Sequence, residues 1–323
     1  MELIEKIEPL IIFLAIIIGL IFSNFKVISN NTDYLINIFL CLMLYGVFLE
    51  IPLIELKNSF KNVKFTSTSL IINFIWTPLF GYFLATLFLK GNIDIIIGFF
   101  MLILTPCTDW YLVFTKLAKG DVNLSLSILP INLILQIILL PIYLVIFFSS
   151  SNNIQYAELA YSLLIVIVIP FVAAQITKFL LEGNIKERMI NSFSNFQILF
   201  LSLAVFCIFA SKGELLFENV NTIIVIFIPL ILFFTITLLI DLFVSQKINF
   251  TYSEYASLTM TTLARNSPLA LAIAINSFPG RELIAMALVI GPLIELPILY
   301  LVSKFTLYIK NSGLFLIVKS YFK

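Results

Sequence analysis

Two short polar motifs break long apolar runs in this 323-residue chain: Thr105-Pro106-Cys107-Thr108-Asp109 in the first half and Arg265-Asn266-Ser267-Pro268 in the second. With Glu295 they bring a thiol, two carboxylates, a guanidinium and several hydroxyl and amide groups into otherwise apolar surroundings. Asp109, Arg265 and Glu295 each stand about 13 to 16 residues from the loop that begins their helix, near mid-depth of a bilayer at 1.5 Å per residue. Each costs roughly 2.5–3.5 kcal/mol there on an insertion scale, so all three need partners and are candidates for function. Asp109 and Arg265 each lie three residues from their proline, and an ion pair between them is expected. Glu295 then leaves a net charge of −1, which something mobile must balance as the cavity opens to either side.

A helix broken inside a membrane turns its backbone amides and its ends toward a cavity, which makes Cys107, Thr108, Asp109, Arg265, Asn266 and Ser267 the expected lining. Asn132 either joins them or, with Gln136 one turn on, serves as an interhelical hydrogen-bond partner. Cys41 and Cys207 read as small apolar fillers, whereas Cys107 follows a break. Asp94, Glu50 and Asp241 lie nearer helix ends and read as solvated structural carboxylates.

The chain contains no histidine, which removes the commonest general base, the usual zinc ligands and the Ser-His and Cys-His nucleophile pairs. Its three cysteines sit in separate apolar segments without metal-ligand spacing, and neither a Walker loop nor a dinucleotide fingerprint is present. No enzyme, cofactor or bound metal is expected, and a net charge of +1 gives no footprint for nucleic acid.

Apolar residues make up 61% of the chain and charged residues 11%, too little polar surface for a soluble globule of this length. Runs of roughly 17 to 25 apolar residues begin near Pro9, Tyr34, Thr68, Asp94, Val122, Ala157, Phe193, Val220, Tyr252 and Glu282. Ten spans are expected, five in each half. With that count most of the nineteen Lys and Arg residues fall on one side, leaving Lys26, Lys90, Lys212 and Arg281 on the other and Arg265 within a span. Both termini are therefore expected in the cytoplasm, at a cell membrane and in contact with its lipid. The two break prolines lie 162 positions apart, as do Pro130 and Pro292, while Pro9 and Pro170 are 161 apart. An odd number of spans per half forces the second copy to enter from the opposite side. The expected fold is all-α: one membrane domain, residues 1–323, built as inverted repeats 1–150 and 151–323, with the fourth and ninth helices broken and crossing at mid-membrane.

The motif Thr105-Pro106-Cys107-Thr108, the Lys119-Gly120-Asp121 that follows it, and Gly291-Pro292-Leu293-Ile294-Glu295-Leu296-Pro297 resemble the arsenite permease branch of the bile acid:sodium symporter superfamily. The likeness runs the length of the chain and includes Asn132 and Leu271-Ala272-Ile273-Ala274. It implies ten helices in two inverted repeats of five, and a secondary transporter that exports arsenite or antimonite in exchange for protons. Cys107 and Glu295 match the functional cysteine and glutamate of that branch. A single sulfur suits soft trivalent arsenic and still releases it, while Glu295 becomes the coupling carboxylate, taking up a proton as arsenite leaves. Thr261 stands where the sodium-coupled branch has an acidic residue, and the fixed charge of Arg265 disfavours sodium by about 1 kcal/mol or more. The alternatives are a sodium-coupled or uncoupled carrier of an organic anion, and a channel or sensor of the same fold.

Overall fold

The computed structural model describes residues 2–23, 26–50, 61–107, 110–148, 156–218, 221, 224–313 and 315, and nearly all of them are helical. In chain order the helices are α1 (Glu2–Phe22), α2 (Lys26–Glu50), α3 (Val63–Ile71), a π turn (Ile72–Trp76) and α4 (Thr77–Phe88). Then come α5 (Ile93–Leu104), α6 (Trp110–Leu117), α7 (Val122–Phe148), α8 (Tyr156–Leu180) and α9 (Gly183–Glu218). The last five are α10 (Phe227–Lys247), α11 (Tyr252–Leu263), α12 (Ser267–Ser277), α13 (Glu282–Val289) and α14 (Gly291–Asn311).

Among the described residues, five helical stretches are long and apolar enough to cross a membrane: Val63–Phe88, Val122–Phe148, Gly183–Ser211, Phe227–Lys247 and Glu282–Asn311. Shorter apolar helices occupy Leu10–Phe22, Ile38–Glu50, Ile93–Leu104, Val168–Leu180 and Ser267–Ser277. The outer faces agree with this solvent. Ile71, Ile75, Leu79, Phe83 and Leu87 recur every four residues along α3 and α4, and all are exposed. Polar side chains such as Asn73, Thr105, Asn132, Asp241 and Arg265 are buried instead. A molecule with apolar residues outside and polar ones inside belongs in lipid, and the protein is a multi-pass membrane protein.

Packing divides the chain into two compact units, each drawn from both sequence halves. One comprises Met1–Ile51, Phe148–Ile224 and Pro268–Leu293; the other Pro52–Phe147, Val225–Ser267 and Ile294–Lys323. In the first, α9 packs along α1 and α2, and α8 packs on α2. A Cβ added at Gly19 would stand 2.7 Å from the Phe206 carbonyl oxygen and 2.8 Å from the Phe209 Cβ, so only glycine lets α1 approach α9 this closely. The Tyr45 and Thr177 hydroxyls hydrogen-bond at 2.8 Å, and the Tyr45 and Phe193 rings meet edge to face at 4.9 Å.

The second unit holds every described polar residue of the candidate site. Its helices start on side-chain caps that satisfy amide groups lacking an intrahelical partner. Asn62 caps α3, Asn92 caps α5, Asp121 caps α7, and Thr251 with Glu254 forms a capping box on α11. Phe65, Ile72, Ile128, Phe250 and Leu258 form an apolar core joining α3, α7 and α11. The loop before α7 is tied to α11 from both sides: Ser257 Oγ accepts from Asp121 N at 2.7 Å and donates to Asp121 O at 2.9 Å.

Candidate functional site

A proline accompanies each break but acts differently at the two. Pro106 has no N–H to continue α5 and disfavours helical backbone at the residue before it, and Thr105 is extended at φ −100°, ψ 100°. Pro268 sits in the first turn of α12, where a missing N–H costs nothing, and Ala264 is extended at φ −69°, ψ 134°. Neither break leaves its backbone stranded, because the two pair with each other. Cys107 N donates to Ala264 O at 3.0 Å and Asn266 N to Thr105 O at 2.6 Å, framing an antiparallel bridge between Pro106 and Arg265. The Thr105 hydroxyl adds a bond to Asn266 O at 3.1 Å. In such a bridge the framed residues point their own amide groups away from the partner strand. Pro106 has no N–H there to waste, and the Arg265 N–H is free to donate elsewhere. It donates to Glu295 Oε1 at 2.7 Å.

Glu295 is therefore placed at the start of the second turn of α14 and 4% exposed, with its carboxylate on an amide that the second break released. The Arg265 guanidinium is buried too. It donates to Ile103 O at 2.9 Å, to Leu263 O at 3.3 Å and to Asn73 Oδ1 at 3.2 Å, and lies over the Phe233 ring at 5.2 Å. Ile103 and Leu263 belong to the last turns of α5 and α11, where carbonyls lack helical partners and the helix end is negative. Ile103 O would ordinarily accept from the amide of Cys107, but that amide is bonded to Ala264. The guanidinium takes its place. A fixed cation thus caps two broken helices at once.

Cys107 is buried beside the bridge and is not part of a disulfide. Asn266 and Ser267 are buried as well, and the Ser267 hydroxyl has no hydrogen-bond partner among the described residues. Asn132 and Gln136 in α7 are 1% and 2% exposed, and neither end of either amide has a partner among the described residues. The expected Asp109 to Arg265 pair, and Thr108, lie outside the described residues. Of the other cysteines, Cys41 is exposed and Cys207 buried.

One expectation needs correction. Asp241 is not a solvated carboxylate: it is fully buried in α10, with Oδ2 accepting from the Thr262 hydroxyl at 2.7 Å. Its place six residues before the helix end suggests access to water, but α11 and α4 pack on α10. Asn73 was also missed as a site residue. Its only sequence signal is an amide inside an apolar run, and its partner lies 192 positions away.

The profile described as the Sodium Bile acid symporter family matches residues 37–219, which include the first break and Asn132. The chain belongs to this family. Similar proteins that align with this sodium bile acid symporter family member along most of its length include the arsenical-resistance protein Acr3 of Corynebacterium glutamicum, 24% identical over 321 residues, covering 91% of this chain and 86% of that protein. The arsenical-resistance protein Acr3 of Alkaliphilus metalliredigens is 25% identical over 285 residues, covering 83% and 79%. An uncharacterized transporter of Synechocystis is 23% identical over 333 residues, covering 93% and 87%. The family and these relatives make the chain a secondary transporter of the arsenite permease or bile acid symporter type.

Proposed function

We propose that the chain exports arsenite or antimonite across the cell membrane in exchange for protons. Cys107 offers one soft sulfur to trivalent arsenic, enough to bind and too little to trap. Thr108, Asp109, Asn132, Asn266 and Ser267 complete the polar lining. Arg265 is the fixed cation that holds the breaks together, and Glu295 is the coupling carboxylate. The observation that carries this reading is the Glu295 carboxylate bonded to the Arg265 amide at the paired breaks, on the same bridge whose other strand supplies Cys107. Loading the proton changes the strength of that bond, because an ionised carboxylate is the stronger acceptor. Protonation and the geometry of the second break are therefore linked.

The repeat halves 1–150 and 151–323 act as ten spans of inverted topology, with both termini cytoplasmic and the fourth and ninth helices crossing at mid-membrane. The paired breaks support this. In purified protein reconstituted into liposomes, arsenite efflux should saturate, show counterflow and follow an imposed pH gradient. Acceleration by sodium alone would favour the sodium-coupled organic-anion alternative, and flux without counterflow would favour a channel.

A further inference from the structure

Among the described residues Asp241 makes no hydrogen bond to the site described above. Its carboxylate stands in the last third of an apolar helix and is fully buried, yet among the described residues Oδ1 has no hydrogen-bond partner and Oδ2 has one. An ionised carboxylate presents about four acceptor positions and is costly to bury with one filled. The single contact carries further information. The Thr262 hydroxyl has one hydrogen and three acceptors in reach, Asp241 Oδ2 at 2.7 Å and the carbonyls of its own helix, Leu258 O at 2.9 Å and Thr259 O at 3.3 Å. If the hydroxyl donates to Leu258, the 2.7 Å contact requires a hydrogen from the carboxyl group.

The surroundings continue the pattern. A tight turn through Asn249, at φ 59°, joins α10 to α11 and makes them antiparallel. The Asp241 to Thr262 bond sets their register, so Ser245 comes level with Thr259 one turn nearer the connecting turn, and Tyr255 lies a turn beyond. Ser245 Oγ, Thr259 Oγ1 and the Tyr255 hydroxyl are all buried, and none has a partner among the described residues. Hydroxyls both donate and accept, so this flank of the carboxyl group is polar although it supplies no hydrogen bond to it.

We propose that Asp241 is a second proton-binding site, holding a proton shared with Thr262, with the unpartnered hydroxyls of Ser245, Thr259 and Tyr255 on the side where α10 ends. The groups that face it are few. From α11 and the break beyond come Thr262, Tyr255 and Arg265, whose described donors all go to Ile103, Leu263, Asn73 and Glu295. From the π turn, Trp76 donates to Thr237, one turn before Asp241. α4 carries no charged residue, and its Tyr82 ring faces Phe100 and Phe147. On α14, Glu295 is at the Arg265 amide, while Lys304 and Lys310 lie over Tyr300 and Tyr252.

Infrared difference spectroscopy of the purified full-length protein in lipid tests this without requiring transport, so it stands or falls separately from the arsenite reading. A protonated carboxylic-acid band at neutral pH should be lost in Asp241→Asn and retained in Glu295→Gln. Identical carboxylic-acid regions in wild type and Asp241→Asn would overturn the proposal, as would loss of the band on adding sodium at fixed pH, which would make this a sodium site. If Asp241→Asn does not fold, Thr262→Val decides: loss of the hydrogen bond should shift the same band, and an unmoved band overturns the assignment.

Discussion

Replacing Arg265 by Lys keeps the charge and should still damage the protein. The guanidinium reaches three acceptors in three directions, Ile103 O, Leu263 O and Asn73 Oδ1, because its donors are fixed in a planar fork. An ammonium group has its donors on one nitrogen and, placed on Ile103 O, leaves the other two acceptors unmet. At about 0.6 kcal/mol for each interhelical bond in a membrane protein, the loss is about 1 kcal/mol. If each is instead a buried acceptor left orphaned at about 2 kcal/mol, the loss is about 4 kcal/mol. An ammonium is more strongly hydrated than a guanidinium, so its burial adds to the loss and does not offset it. Unfolding of Arg265→Lys in detergent should therefore occur at lower denaturant than for the wild type. Since Ile103 O and Leu263 O lie at the ends of α5 and α11, the paired breaks should loosen and Cys107 should react faster with a thiol reagent. A variant with the wild-type unfolding midpoint and wild-type Cys107 labelling would show that charge alone, and not the fork, holds the breaks.

Three further outcomes are expected. Cys107→Ser should abolish arsenite efflux, while Cys41→Ser and Cys207→Ser leave it nearly intact; full efflux by Cys107→Ser in vesicles would remove the sulfur from the mechanism. Glu295→Gln keeps an oxygen for the Arg265 N–H and should fold, exchange arsenite downhill and fail to move it uphill; uphill transport at the wild-type rate would place coupling elsewhere. Gly19→Ala puts a methyl group against backbone at Phe206 that has no rotamer to yield, at roughly 1–3 kcal/mol of overpacking. An unchanged unfolding midpoint for that variant would mean that α1 shifts away from α9 without penalty.

The breaks were legible because proline states its own effect: a lost N–H and an extended preceding residue at Pro106, and a ready helix start at Pro268. Their pairing followed from the need to satisfy every backbone group in lipid. The partners of Arg265 were not legible. Two are carbonyls, which every residue carries, and the third, Asn73, has no sequence relation to the break. Asp241 was misjudged for a related reason: distance from a helix end measures depth only when that end reaches water, and packing of α10 against α4 and α11 decides that. The π turn at Ile72–Trp76 likewise had no proline or glycine pair to announce it.

Arsenite flux through the reconstituted wild-type protein, with a pH gradient or a sodium gradient imposed in turn, bears most directly on the carrier assigned to Cys107 and Glu295. For one-for-one exchange each pH unit is worth about 1.4 kcal/mol, or a tenfold limit on the arsenite concentration ratio. The pH gradient should drive arsenite uphill toward that limit and the sodium gradient should leave it at equilibrium. Accumulation driven by sodium with no pH gradient present would contradict proton exchange at Glu295.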